Sequence, residues 1–358
     1  MIQSAISIEF LYNGRIAPLT SLHVGTPQAP GSFDGGVYYS NNDICLQGLH
    51  GKTHYTNKPI ALTSSEMPKL NGSHIFGGML QEHFGHFLTE SIGRIWALKH
   101  LSSKFNSIVF YHRVPNGRIP RFVREIMEVL APNIQINIIL QPTIIEELAV
   151  PTHIEKNGML YGHSVMQEAV YPLKNIRSGT AKRLYISRSK LNLNDGGILF
   201  EELIENYLEA EGYVIIHPEK MTINEQIAAY NGAEELIFAE GSSLHLYSLV
   251  ARPSQRIFII WRRKIADHFG WQIGTFGGPK HVYGELCIDS LFVPPNGEVC
   301  ARALLDFSDL SMQLYKNDFI SSHLWIPLPR HEIEQEMGRL EIATKRRYLE
   351  KKLRLTNH

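Results

Sequence analysis

Residues 212–249 constrain the fold more than any other stretch of this 358-residue chain. They read Gly-Tyr-Val-Ile-Ile-His-Pro-Glu, then a polar segment through Glu225 and Gln226, then Glu-Leu-Ile-Phe-Ala-Glu-Gly-Ser-Ser-Leu-His. Short apolar runs around an amphipathic segment predict strand, loop, helix, strand, loop, helix, the alternation of a parallel sheet covered on both faces. The loop Gly241-Ser242-Ser243 follows a buried-type strand and opens the next predicted helix. Small residues there let backbone N–H groups and hydroxyls approach an anion at a helix N-terminus. Open α/β sheets bind nucleotides at that place, outside the carboxyl ends of their strands. The stretch therefore predicts a phosphate-bearing ligand.

The alternation extends in both directions. Residues 1–75 are rich in Gly, Ser, Asn, Thr and Pro and read as short strands and loops. Phe84 to Phe105 is a predicted helix, Ser107 to Tyr111 a strand, Ile119 to Leu130 a helix and Gln135 to Leu140 a strand. Residues 151–182 carry Pro151, Gly158, Gly162, Pro172 and Gly179 and read as a loose crossover between domains. Strands are then predicted at Arg183–Ser187, Tyr213–Ile216, Leu236–Ala239 and Arg256–Trp261. Helices are predicted at Leu199–Glu211, Thr222–Gly232 and Leu244–Val250. Thr222 and Glu225 have capping-box spacing. The length suits two domains, 1–170 and 171–305, followed by a helical tail, 306–358.

In that tail Ile333, Met337, Leu340 and Tyr348 share one predicted helical face. Glu332, Glu334 and Glu336 precede Lys345, Arg346, Arg347, Lys351, Lys352 and Arg354, an order that suits the helix dipole. Two readings stay open: a basic surface for anionic lipid or a partner, and a solvated helix docked on the protein or on a second copy.

Lys+Arg 35 balances Asp+Glu 35, so no basic excess points to nucleic acid. Cys45, Cys287 and Cys300 are odd in number and widely spaced, which suits a reducing compartment rather than a disulfide framework. The amino terminus lacks a basic, then apolar, leader pattern, and no apolar run reaches membrane-spanning length. These features predict a cytoplasmic protein, with peripheral attachment at the inner face of the membrane if the basic tail binds lipid.

Two further segments carry chemistry. Glu82-His83-Phe84-Gly85-His86-Phe87-Leu88-Thr89-Glu90 leads into Arg94 and Trp96. On a helix His83, His86 and Glu90 share a face. The spacing is not that of a zinc protease, and no metal is expected. A carboxylate one turn from an imidazole can orient and charge it for general-base work. The bland alternative is a helix start whose histidines make structural hydrogen bonds. In Tyr185-Ile186-Ser187-Arg188-Ser189-Lys190 a strand end delivers two cations and two hydroxyls to the sheet's carboxyl edge. That suits phosphate, and exposed basic residues are the equal alternative.

Taken in order, these segments resemble glycosyltransferase family 61. The resemblance rests on His83 to Trp96, Tyr185 to Ser189, Gly212 to Glu219, Glu225-Gln226 and Gly241 to Leu244. It implies a GT-B fold of two Rossmann-like domains facing a cleft, with a β-rich start and a C-terminal helix. It implies inverting, metal-independent transfer from a nucleotide sugar to a hydroxyl of a surface polysaccharide (capsule or lipopolysaccharide) or glycolipid. The alternative is a non-catalytic nucleotide-sugar or glycan-binding module of an assembly complex. By resemblance His86 and Glu90 are the catalytic candidates, with His83 and Arg94 on the acceptor side. Ser187, Arg188, Lys190, Glu219, Glu240, Gly241, Ser242, Ser243 and His245 are donor-binding candidates. The chain departs from family members at Glu240, where many carry histidine, at His245, where many carry threonine, and along Leu191 to Gly197. A carboxylate at 240 repels a diphosphate unless it points away or is paired.

Overall fold

A computed structural model describes residues 6–23, 31–49, 55–58, 62, 67–101, 104–105, 107–112, 117–156, 158–265 and 268–353. The chain forms two units, Met1–Asn175 and Ile176–His358.

The first unit is built on seven strands: β1 (Ile8–His23), β2 (Gly31–Tyr38), β3 (Tyr55–Lys58), β4 (Lys69–Met79), β5 (Ser107–Tyr111), β6 (Gln135–Ile139) and β7 (Thr143–Pro151), in the order β3-β2-β1-β7-β4-β5-β6. Strands β7, β4, β5 and β6 run parallel, and β1 joins them antiparallel through β7. Ile16, Phe76, Val109, Tyr111, Ile145 and Leu148 form the heart of its core.

The helix expected over 84–105 breaks into pieces. Helix α1 (Phe84–His86) widens into a π-turn at Phe87–Ser91, and a 3-10 turn at Ile95–Ala97 then leads into α2 (Leu98–Leu101). Ser91 pins the wide turn to the end of β4: its Oγ donates to Met79 O at 2.8 Å and accepts from Gln81 N at 2.9 Å. Gly93 packs against His153, where a Cβ would lie 2.1 Å from the ring. Helix α3 (Arg121–Leu130) follows as expected. The expected loose crossover contains α4 (Ser164–Lys174), whose Met166, Val170 and Leu173 make a buried stripe at helical spacing. Pro172 disguises this helix but sits in its last turn.

In chain order the second unit has β8 (Arg183–Ile186), β9 (Gly197–Ile198), α5 (Glu201–Ala210), β10 (Val214–Ile216), α6 (Ile223–Gly232), β11 (Glu235–Ala239), α7 (Ser243–Val250), β12 (Arg256–Ile260), α8 (His268–Thr275), β13 (Val282–Tyr283), β14 (Ile288–Val293), β15 (Arg302–Leu305), α9 (Phe307–Lys316), α10 (Arg330–Thr344) and β16 (Leu349–Lys352). Five strands form a wholly parallel sheet in the order β10-β8-β11-β12-β13. The interior strands β8, β11 and β12 are buried along nearly their whole length, which explains their continuous apolar runs. The capping box of α6 forms as expected, with Thr222 Oγ1 accepting from Glu225 N at 3.2 Å and Thr222 N donating to Glu225 Oε2 at 2.7 Å.

A second sheet runs β16-β14-β15-β9. The expected basic helix stops short of its bases: α10 ends at Thr344, and Lys345 turns left-handed at φ 54°. The chain returns as β16, antiparallel to β14. Ile333, Met337, Leu340 and Tyr348 do pack together, against Leu199, Phe292 and Leu304. Each such buried side chain contributes about 1.5–3 kcal/mol. Lys351 pairs with Glu298 at 2.7 Å and Lys352 with Asp289 at 3.4 Å, while Arg354 lies outside the described residues. No helix among the described residues is long and apolar enough to cross a membrane.

Candidate functional site

Numbered by appearance, the parallel strands of the second unit lie in the order 2-1-3-4-5. The winding reverses between β8 and β11, and the carboxyl ends flanking such a reversal are where sheets of this kind hold ligands. Residues 187–190 leave β8 there, residues 240–243 leave β11, and residues 261–263 leave the next strand, β12.

The β8 loop is organised by two carboxylates of α5. Glu201 Oε1, buried, accepts from Arg188 N at 2.8 Å and Tyr185 Oη at 2.9 Å. Glu205 Oε1 accepts from the hydroxyls of Ser187 and Ser189, each at 2.6 Å. Both expected phosphate-facing hydroxyls are thus turned onto α5. The Arg188 guanidinium crosses the face of Gly241, so that a Cβ there would lie 2.3 Å from Nη1. Its Nη2 donates to Gly196 O at 2.9 Å, while Nε is buried without a partner. Burial lowers the Arg188 pKa, opposed by the charges of Glu201 and Glu240. Lys190 is half-exposed, 3.8 Å from Glu202.

Glu240 is fully buried and paired. Arg263 grips it side-on, Nη2 to Oε1 at 2.5 Å and Nε to Oε2 at 3.1 Å. Arg262 Nε lies 3.5 Å from Oε2 and donates to the Glu240 backbone carbonyl at 3.1 Å. Burial pushes the Glu240 carboxyl up, but the Arg263 hydrogen bond and the charges of Arg262, Arg263 and Arg188 outweigh it and leave the pKa below its ordinary value. Burial pushes Arg262 down to about 9, still charged at neutral pH. Three guanidiniums therefore surround one carboxylate.

Ser242 and Ser243 open α7 without a side-chain cap, while the amides of Leu244 and His245 donate to Gly241 O and Ser242 O, each at 3.1 Å. His245 faces α8: its Nδ1 is 2.7 Å from Gln272 Oε1, and its ring lies 4.9 Å from that of Phe269. Glu219 is exposed on the turn after β10, a turn tied by Gln226 Nε2 donating to Pro218 O at 2.9 Å. The structure thus gathers Arg188, Glu240 and Gly241 and gives Lys190, Glu219 and His245 their own neighbours elsewhere.

In the first unit, Glu90 is buried in the π-turn and His86 is half-exposed above it, with Nδ1 2.5 Å from Glu90 Oε1. Gln81 Nε2 donates to Glu90 Oε2 at 2.9 Å and fixes the carboxylate from its other side. With Nδ1 bonded to the carboxylate, the ring's Nε2 is the nitrogen suited to take a proton. His83 is exposed at the helix start, its ring edge-on to His86 at 5.1 Å. Arg94 is buried: Nε donates to Pro151 O at 3.1 Å, and Nη2 to Gln47 O at 3.1 Å and Leu49 O at 3.0 Å. Burial pushes its pKa down to about 10. The side chain ties β7 to the segment before β3.

The family model of glycosyltransferase 61 matches residues 84–258. That match identifies residues 84–258 as a glycosyltransferase family 61 domain. No curated protein matches it. The family 61 match takes in the His86–Glu90 pair, Arg188, Glu240 and Gly241, and it ends inside β12. Arg262 and Arg263 lie just beyond it and escaped the sequence reading. Their signal was present in Trp261-Arg262-Arg263-Lys264, which leaves a buried strand as Arg188 does.

Proposed function

We propose that this chain is an inverting, metal-independent glycosyltransferase, moving a sugar from a nucleotide-sugar donor to a hydroxyl of a polysaccharide or glycolipid. The observation that carries this reading is the gathering of Arg188, Arg262 and Arg263 at the strand reversal of the second unit, with Gly241 leaving room for the Arg188 guanidinium. The first unit would supply the base and the second the donor site, the division of labour of a GT-B enzyme.

His86 Nε2 would take the proton of the acceptor hydroxyl, and buried Glu90 would stabilise the imidazolium. The hydroxyl oxygen would attack the anomeric carbon opposite the leaving group. The anomeric carbon–oxygen bond breaks, and its electron pair goes to the leaving phosphate oxygen. Arg188 and the amides of Ser242 and Ser243 would stabilise that growing charge, the part a divalent cation plays in other transferases.

The test is turnover with EDTA present. Purified protein, offered UDP-, GDP- and CMP-sugars, should release nucleotide once an acceptor glycan is added. Full turnover in both Arg188→Ala and His86→Ala would reject these roles. Tight nucleotide binding with no turnover on any acceptor would make the chain a binding module instead.

A further inference from the structure

We propose that Arg263 is a donor-phosphate contact and that Glu240 is the positioning residue that holds it at the site. The inference rests on the donor assignment above and adds a residue pair to it.

A fully buried carboxylate beside an anion site is unfavourable unless its charge is spent on something. Both Glu240 oxygens are spent, Oε1 on Arg263 and Oε2 on Arg263 and Arg262. The two arginines are not equivalent. Arg262 is locked in place: its side chain is 5% exposed, and it reaches Glu240 O through Nε and Val299 O through Nη1. Arg263 keeps 21% of its side chain exposed and meets Glu240 through its Nε–Nη2 edge alone. The Nη1–Nη2 end of the fork is left over, and that end matches two phosphate oxygens.

Placement agrees with this division. Arg263 follows β12, which lies beside β11, and β11 lies beside β8, so Arg188, Glu240 and Arg263 leave the same carboxyl edge of the sheet. Arg188, Arg262 and Arg263 all feel the Glu240 charge, and Arg188 and Arg262 also feel that of buried Glu201. Glu240 thus offsets the mutual repulsion of the arginines and orients one of them. It does not face the ligand.

The experiment measures binding of UDP and GDP, and of uridine and guanosine, by calorimetry on the full chain. Wild type is compared with Arg263→Ala, Arg263→Lys and Glu240→Gln. The nucleoside diphosphate that wild type binds should bind about 10- to 100-fold more weakly to Arg263→Ala, the range of a hydrogen bond to a charged group. Affinity for the matching nucleoside should stay within about twofold. Arg263→Lys should recover part of the loss, because it restores charge without the fork. Glu240→Gln should weaken diphosphate binding while sparing nucleoside binding. An unchanged diphosphate affinity in Arg263→Ala overturns the inference and leaves the transferase reading standing. Equal weakening of diphosphate and nucleoside also overturns it, by making Arg263 merely structural. If wild type binds neither diphosphate, the inference falls; if it also fails to bind CMP, the donor reading falls with it.

Discussion

Gly241 lies directly beneath the guanidinium of Arg188, which comes so close that a Cβ on residue 241 would sit 2.3 Å from Nη1 and 3.1 Å from Cζ. The glycine that looks like a phosphate-approach residue in the sequence makes room for an arginine. Gly241→Ala should therefore push Arg188 off its position. The displaced group is the end of a flexible chain, so unfolding free energy should change by less than about 1 kcal/mol. Transferase turnover should fall about 10- to 100-fold. Chemical denaturation beside a nucleotide-release assay separates the two effects, and a large stability loss with unchanged turnover would contradict this placement.

Glu240 gives the protein an acid-sensitive contact. Its folded pKa lies below the ordinary 4.5, so its ion pairs stabilise the fold fully above that value and lose their effect as pH falls through the folded pKa. Glu240→Gln should cost about 3–5 kcal/mol at pH 7, because Arg262 and Arg263 lose a buried partner. The gap between the two proteins should narrow below about pH 4.5. Urea midpoints measured from pH 7 to pH 3 would show it, and parallel curves would count against the pairing.

The His86–Glu90 pair predicts a kinetic split. His86→Ala should lower turnover by about 10²–10⁴-fold, the usual worth of a positioned general base. Nucleotide affinity should not change. Glu90→Gln keeps a hydrogen-bonding group but removes the charge beside the imidazole, so it should cost less than His86→Ala. A nucleotide-binding defect in either variant would place the pair on the donor side.

Arg94 predicts the opposite pattern. Arg94→Ala strips donors from the carbonyls of Gln47, Leu49 and Pro151 and should destabilise the first unit by about 3 kcal/mol or more. Arg94→Lys should not restore this, since a single ammonium cannot reproduce the planar fork. Thermal unfolding decides the matter, and a stable Arg94→Ala would return the residue to the acceptor side.

Much of the second unit was legible because its interior strands are short, apolar and buried on both faces, and because Thr222 and Glu225 mark a helix start unambiguously. The first unit was less so. Its wide turn at Phe87–Ser91 depends on Ser91 reaching back to Met79 and Gln81, a tertiary contact with no local signature. Helix α4 hid behind Pro172, and β16 exists only because β14 offers it an edge. In the site, Arg188 and Gly241 were legible as strand-end residues. The partner of Glu240 was not, since Arg263 lies 23 positions away and only the pairing of β11 with β12 brings it close.

The four-stranded sheet gathers residues 197–198, 288–293, 302–305 and 349–352. During synthesis its first strand waits for its last through about 150 residues of chain, since non-local pairing forms only after the loop between has closed. The unit ending at Asn175 has no such wait: every strand of its sheet has been made by Pro151. Messages truncated near residue 345 would thus yield a finished first half tethered to a second half that lacks an edge strand of its smaller sheet. Such a product is a candidate for proteolysis rather than for partial activity.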